Sequence, residues 1–161
     1  MQPDERDWNP LNSDELRSKV DAILETMCFV IADPIDSADI IPDAESPSAK
    51  AWISFGTDAE EGVLELIAGE DFLLEAASGL LGIEPDELNP ELDPGETLME
   101  LANIIGGEVV GVLGAEDTTY KMGLPSSTPK EIADAREETD LGFDSMGSSF
   151  QVLVKRRSIA A

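Results

Sequence analysis

Hydrophobic side chains recur every three or four positions in three stretches of the chain, which is the spacing of amphipathic helices. Asn12 or Ser13 can cap the first helix, and Asp33 followed by Pro34 stops it. Gly82 is suited to end the second, because glycine readily adopts the left-handed conformation of a helix C-cap. The three helices are therefore predicted from Ser13 to about Ala32, from Asp71 to Leu81, and from Pro94 up to Gly114.

Four shorter apolar runs have the length and the turn signals of β-strands. The first two flank a turn from Gly56 to Gly62 and are predicted to form a hairpin. The acidic stretch from Pro34 to Pro47 is predicted to be a loop, and the charged stretch from Lys130 to Asp140 a connection. The predicted strands run from Ala51 to Phe55, Val63 to Ala68, Thr118 to Leu124 and Ser149 to Arg156.

The third predicted helix contains three glycines, Gly106, Gly107 and Gly111. Each glycine weakens a helix by about 1 kcal/mol relative to alanine. Such residues are expected where another part of the chain packs closely. The glycines therefore predict tight packing along this part of the helix.

The first and third helices share an internal similarity, since residues 21–32 align with residues 96–107 without a gap. In this alignment Glu25 falls on Glu100, and Cys28 falls on Asn103. The similarity predicts an α+β fold of duplicated helix-plus-β-hairpin units, with one antiparallel sheet covered by long helices. The alternative is two unrelated amphipathic helices with similar apolar stripes.

Length and composition limit the number of domains and exclude several kinds of catalysis and targeting. Residues 1–10 are polar and contain two prolines, which predicts a flexible segment, and the length of 161 residues predicts a single domain over residues 11–161. Histidine is absent, which excludes imidazole catalysis, and the lone Cys28 cannot form a disulfide within the chain. The first residues do not resemble a signal peptide, and no apolar run reaches the about 18 residues of a membrane span. We therefore expect a cytoplasmic protein.

Acidic residues dominate the charge, with 35 Asp and Glu against 10 Lys and Arg, for a net charge of −25. This balance argues against binding to nucleic-acid phosphates and to anionic membranes. Between Lys50 and Lys121 every charged side chain is acidic, so a partner of this region is expected to be basic. The alternative is a solvated surface that only aids solubility.

Glu100 and Asn103 are the polar pair that could carry chemistry. Residues three apart are neighbours on one helix face, so both side chains can face solvent together. Asparagine within a helix costs a few tenths of a kcal/mol relative to alanine, which hints at a role beyond helix formation. Locally, an exposed polar pair with no role remains the alternative.

The pair belongs to a longer pattern in which Glu96, Glu100 and Asn103 are followed 21 residues later by Pro125. The pattern resembles the signature of the CheC/CheX/FliY chemotaxis phosphatases, in which Asp or Ser, Glu and Asn precede a proline by about twenty-two residues. The Gly-rich helix end, the strand before Pro125 and the earlier hairpin also resemble the CheX-type members. The resemblance covers most of residues 11–157. Glu96 and the shorter spacing depart from the family pattern, but neither removes a proposed catalytic group.

The resemblance implies hydrolysis of the phosphoaspartate on a CheY-type response regulator receiver domain. Asn103 would orient the attacking water, and Glu100 would dock to the active-site Lys of the receiver. The receiver would supply Mg²⁺, so no cofactor of this chain is implied. Because Cys28 replaces the amide in the first copy, one active site is predicted, on the third helix. The resemblance also implies a homodimer.

Three other functions compete with this interpretation. A non-catalytic receiver-binding or flagellar-switch-associated module would retain Glu100 for docking while Asn103 would not reach the phosphate. A purely electrostatic protein would occupy a basic partner and would be indifferent to Asn103. A Ca²⁺-binding protein is disfavoured, because the sequence lacks an Asp-x-Asp-x-Asp-Gly loop.

Overall fold

The computed structural model describes residues 10–40, 48–114 and 118–159. Residues 1–9 of the segment predicted to be flexible and residues 41–47 of the predicted acidic loop lie outside these ranges. The helices are α1 (Ser13–Met27), α2 (Glu70–Leu81) and α3 (Asp93–Leu113). The strands are β1 (Asp33–Ile35), β2 (Ala49–Gly56), β3 (Glu60–Ala68), β4 (Lys121–Met122), β5 (Arg136–Ser145) and β6 (Ser148–Ser158). Single 3-10 turns lie at Ser37–Asp39 and Pro85–Glu87.

All six strands form one antiparallel sheet, in the order β1-β5-β6-β3-β2-β4. The helices pack on one face of it, with α3 against β2 and β3, α2 against β6, and α1 against β5. Alternate side chains of the four long strands point into this core, as the period of two in a strand requires. The fold is therefore the predicted α+β architecture. Buried strand residues include Ile53, Leu64, Leu66, Phe143, Phe150, Val152 and Val154.

The sheet has an internal symmetry. If β1 is exchanged with β4, β2 with β5 and β3 with β6, the same strand order is obtained when the sheet is read from its other edge. Each set of three strands follows a long helix, α1 or α3, and α2 lies between the two sets. The symmetry supports the duplication inferred from the sequence. Each repeat contains the predicted long helix and hairpin, β2–β3 or β5–β6, and adds one short edge strand, β1 or β4.

Strand β5 contradicts the connection predicted from Lys130 to Asp140. Its inward side chains include Leu141 and Phe143, which are buried against the helices. A two-residue turn at Met146 and Gly147, with φ values of 52° and 88°, joins β5 to β6. Methionine is uncommon at a positive φ, so this turn lacks the Asn-Gly sequence by which such hairpins are usually recognised.

Helix α1 ends at Met27, earlier than predicted. Cys28 caps it, and Phe29 has a φ of 56°, which cannot continue a right-handed helix. The N–H of Val30 donates to the carbonyl of Leu24 at 2.9 Å and closes the last turn. Val30 is buried although it lies outside the helix. The apolar stripe that predicts a longer helix therefore ends in a residue that reaches the core from non-helical chain.

Strand β4 is shorter than the strand predicted from Thr118 to Leu124. Beyond it, the backbones of Trp52 and Ser126 exchange two hydrogen bonds of 2.8 Å. The chain therefore pairs with the edge of β2 in two separate places. The continuous run of strand residues in the sequence does not predict this interruption. The predicted loop from Pro34 to Pro47 likewise contains the last two residues of β1 and a 3-10 turn.

The close packing predicted for the glycines of α3 is right at only one of them. A Cβ at Gly106 would lie 3.0 Å from Met122 Cε and 3.2 Å from Ile53 Cγ2. At Gly107 and Gly111 a Cβ would meet no described atom within 4 Å, so the prediction is wrong there. Gly106 alone faces the sheet, because it continues the buried stripe of the helix.

Candidate functional site

Glu100 and Asn103 lie on the exposed face of α3, three residues apart. The two residues between them, Leu101 and Ala102, are fully buried in the core. Burial of one leucine side chain contributes about 1.5–3 kcal/mol, so the core fixes the rotation of the helix about its axis. A side chain carried by such an element is positioned more accurately than one on a loop.

Neither side chain of the pair is engaged with the rest of the described chain. The carboxylate of Glu100 and the amide of Asn103 have no hydrogen bond or ion pair to another residue in residues 10–40, 48–114 and 118–159. The amide therefore remains able to donate and to accept a hydrogen bond, and the carboxylate remains able to pair with a cation. Both groups are available to a partner molecule.

A groove of about 720 Å³ lies beside the pair, between the start of α3 and the segment that follows β4. It brings together all four positions of the sequence pattern, Glu96, Glu100, Asn103 and Pro125. The two departures from the family pattern, the glutamate at residue 96 and the shorter spacing, do not prevent this convergence. The complete set of lining residues is Ala49, Lys50, Leu92, Gly95, Glu96, Leu98, Met99, Glu100, Asn103, Leu124, Pro125 and Ser127.

Hydrogen bonds to the edge of β2 place Pro125 opposite the helix. The N–H of Gly123 donates to the carbonyl of Ser54 at 2.7 Å, and the N–H of Ser126 donates to the carbonyl of Trp52 at 2.8 Å. Pro125 lies between these two anchored residues and has no N–H of its own to satisfy. Pairing with the sheet thereby brings this proline close to α3, although the two are far apart in the sequence.

No sequence pattern assigns a binding role to three groove residues, namely Lys50, Leu92 and Leu124. Lys50 is the only cation among the lining residues, which also include the carboxylates of Glu96 and Glu100. Leu92 and Leu124 are 56% and 84% exposed, although both are large hydrophobic side chains. They lie in separate loops outside the periodic stripes, so only the fold shows that they share a groove with the pair.

The first copy of the pattern does not reproduce this arrangement. Glu25 is exposed on α1, but Cys28 lies just beyond the helix and is only 1% exposed. Burial raises the pKa of the Cys28 thiol to about 11, so the thiol is neutral near pH 7. The residue behaves as a small buried hydrophobe, and the two copies differ in structure from this point on.

A buried charge network anchors Tyr120, which lies just before β4. Arg156 on β6 is 1% exposed and lies 2.6 Å from Glu60 and 3.4 Å from Glu138, measured between nitrogen and oxygen atoms. The hydroxyl of Tyr120 donates to the carboxylate of Glu60. Burial and this hydrogen bond raise the pKa of Tyr120 to about 12. The network therefore ties Tyr120, two residues before Met122, to the centre of the sheet.

The acidic residues of the described ranges do not gather into a metal centre. No three Cys, Asp or Glu side chains within those ranges are placed to share an ion. Among the described helices, none is long and apolar enough to cross a membrane.

Comparison with solved structures identifies related folds at low sequence identity. The CheC-like superfamily protein from Shewanella sp. PV-4 has a TM-score of 0.69 and 17% identity over 89% of this chain and 96% of that chain. The chemotaxis protein CheX from Vibrio vulnificus has a TM-score of 0.67 and 16% identity over 89% and 95%. The CheX–CheY–BeF3–Mg²⁺ complex from Borrelia burgdorferi matches with a TM-score of 0.63 and 20% identity over 91% and 99%.

No protein-family model matches the sequence, and no curated protein matches it. The structural likeness covers nearly the whole of each solved chain and about nine-tenths of this one. This chain has the fold of the CheC/CheX chemotaxis proteins.

Proposed function

We propose that this protein hydrolyses the phosphoaspartate of a CheY-type receiver domain, which makes it an aspartyl-phosphate protein phosphatase of the CheX type. The observation that carries the proposal is the convergence of Glu96, Glu100, Asn103 and Pro125 in one groove of a CheX-like fold. A structural neighbour of the same fold is a CheX in complex with CheY. The proposal places the protein with its substrate in the cytoplasm.

Asn103 is assigned the orientation of the attacking water. Phosphoryl transfer needs a water in line with the bond that breaks, and little covalent chemistry is required of the protein. The amide oxygen can accept a hydrogen bond from that water while the amide nitrogen donates to a second oxygen. The exposure of Asn103 on a rigid helix supports this role, since the amide must enter the active site of another molecule.

Glu100 is assigned the docking contact with the active-site Lys of the receiver. A carboxylate and an ammonium form a charge-assisted hydrogen bond, which is stronger than a neutral one and constrains the approach. Because Glu100 lies one helical turn before Asn103, this contact would also fix the position of the amide. The acidic surroundings of α3 favour such a cationic contact.

The receiver is assigned the Mg²⁺ ion, and no cofactor of this chain takes part. A divalent cation neutralises charge that develops on the transferring phosphoryl group. The neighbouring CheX–CheY complex contains Mg²⁺, in keeping with an ion held in the complex.

A non-catalytic receiver-binding module is the second candidate. Within the described residues no other side chain orients the Asn103 amide, so the amide lacks a partner that would hold its rotamer. In that case Glu100 would still dock, and the phosphoryl group would persist. The two candidates differ in turnover and agree in binding.

The deciding experiment measures the loss of phosphate from purified phosphorylated receivers, with Mg²⁺ present and this protein in catalytic amounts. We expect wild-type protein to accelerate the loss, and Asn103→Ala and Glu100→Gln each to reduce the acceleration about 100-fold. Glu25→Gln is the matched control, because Glu25 is also an exposed helical glutamate but lies on α1. Binding without acceleration would support the module, and acceleration that survives both substitutions would move the site elsewhere.

We also propose a homodimer, on the family resemblance alone. The two edge strands, β1 and β4, have only three and two residues, so pairing through either edge would supply few backbone hydrogen bonds. Sedimentation equilibrium at micromolar concentration tests the proposal, and a monomer mass at all concentrations would reject it.

A further inference from the structure

We infer that Leu92 and Leu124 are apolar docking contacts for the receiver domain, one on each wall of the groove that holds Glu100 and Asn103. The inference rests on the proposed function and adds to it the residues that set affinity for the substrate protein. Leu92 and Leu124 would bind the receiver surface around its active site without taking part in the chemistry.

Exposure of both leucines is the first observation. Leu92 is 56% exposed and Leu124 is 84% exposed, whereas most leucines of the described chain are buried. Scattered single hydrophobic residues on a surface are common. These two are not scattered, because they line the same groove as Glu100 and Asn103.

Backbone hydrogen bonds hold Leu124 in place. Gly123 and Ser126, on either side of it, are bonded to the edge of β2 at 2.7 and 2.8 Å, and Pro125 restricts the following φ. The side chain therefore projects from an anchored segment. A contact residue that is already ordered loses little conformational entropy when a partner binds.

Leu92 is anchored at the other wall. Its N–H donates to the carbonyl of Asn89 at 3.2 Å, and its carbonyl accepts from the N–H of Glu96 at 3.0 Å, in the first turn of α3. The same helix carries Glu100 and Asn103, so the distance from Leu92 to the pair is fixed by the helix.

Geometry and charge together identify the occupant as the receiver. If Asn103 reaches the phosphoryl group, the walls of its groove must contact the surface that surrounds that group. Complementary charges such as Glu100 and the receiver Lys mainly raise the association rate and the specificity, and they are screened by salt. Removal of apolar side chains from water favours binding and is not screened by salt, so the two exposed leucines complement the charged contact.

The test measures receiver binding and turnover separately for Leu92→Gln and Leu124→Gln. The probe for binding is a receiver saturated with Mg²⁺ and beryllium fluoride, titrated by calorimetry. Each substitution is expected to raise Kd, and KM for the phosphorylated receiver, about tenfold, while kcat changes less than about twofold. Met146→Gln is the matched control, because Met146 is 97% exposed at the turn between β5 and β6 and does not line the groove.

The outcomes separate this inference from the proposed function. If Kd and KM stay within about twofold for both leucine variants while Asn103→Ala abolishes turnover, the docking role is overturned and the phosphatase proposal stands. An equal loss of affinity in Met146→Gln also overturns the docking role. If wild-type protein binds the receiver without hydrolysis and both leucine variants lose affinity, the docking role is supported and catalysis is rejected. A wild-type protein that binds no receiver overturns both.

Discussion

Gly106 of α3 faces Ile53 of β2 so closely that a Cβ on the glycine would lie 3.2 Å from Ile53 Cγ2. The same Cβ would lie 3.0 Å from the terminal carbon of Met122. Gly106 is one helical turn beyond Asn103, so this contact sets how near the proposed catalytic face lies to the edge of the sheet. The absence of a side chain at Gly106 therefore allows α3 to lie close to the sheet edge beside the site.

Replacement of Gly106 by valine should destabilise the protein by about 1–3 kcal/mol, because the added methyl groups overpack the contact with Ile53. Gly107→Ala is the matched substitution, since a Cβ there meets no described atom within 4 Å. It should stabilise the protein by about 0.5–1 kcal/mol through helix propensity alone. Urea unfolding measures both, and a stabilised Gly106→Val would contradict the packing described here.

Replacement of Gly79 by alanine should destabilise the protein by at least about 2 kcal/mol. A Cβ at Gly79 in α2 would lie 1.6 Å from the backbone carbonyl oxygen of Cys28, so α2 or the end of α1 must move. Gly111→Ala is the control, because its site is open and the helix should become more stable. Equal unfolding midpoints for Gly79→Ala and wild type would show that the two segments are not held together.

The neighbouring arginines Arg156 and Arg157 should differ strongly when each is replaced by methionine. Arg156→Met leaves the carboxylates of Glu60 and Glu138 without their buried cation and should cost about 3–5 kcal/mol. Arg157 pairs with Glu61 but is 37% exposed, so its loss should cost less than about 1 kcal/mol. The free energies of unfolding at pH 7 provide the comparison. Similar losses at the two positions would mean that burial does not decide the effect.

Alkaline pH should destabilise the protein through two buried groups. In the unfolded chain the Cys28 thiol ionises near its ordinary pKa of 9.0, but burial raises the folded pKa to about 11. Between these values the unfolded state binds fewer protons, so the free energy of unfolding falls as pH rises. Tyr120 acts in the same direction from its ordinary pKa of 10.0 to about 12. Well below pH 9 both contributions are constant.

Substitution separates the two contributions to this pH dependence. Cys28→Ala should flatten the fall in unfolding free energy between pH 9 and 11, and Tyr120→Phe should flatten it between pH 10 and 12. Reactivity of the native thiol towards Ellman's reagent at pH 8 gives an independent measure, and it should be far slower than in urea. Rapid native labelling would mean that Cys28 is accessible and that its pKa is not raised.

The amino-acid sequence alone determined the elements whose patterns are local. Periodic burial predicts α2 with Gly82 as its left-handed cap, and the structure places that cap at a φ of 69°. The β2–β3 hairpin and the start of α1 at Asn12 follow in the same way from turn and capping residues. The spacing of Glu100 and Asn103 on one helix face is likewise a local property, so it could be predicted before any packing was known.

Only the tertiary structure decided the features that depend on residues distant along the chain. Strand β5 is stabilised by pairing with β6 and by burial of Leu141 and Phe143. Its turn sequence is atypical, so no local signal predicts the hairpin. The end of α1 depends on how Val30 enters the core and not on the apolar period that includes it. Leu92 and Leu124 line one groove beside Glu100 because the edge of β2 holds the chain after β4, and no local pattern encodes that arrangement. Periodicity shows which side of a helix or strand is buried. A groove forms where separate elements meet, and only tertiary packing decides which elements lie side by side.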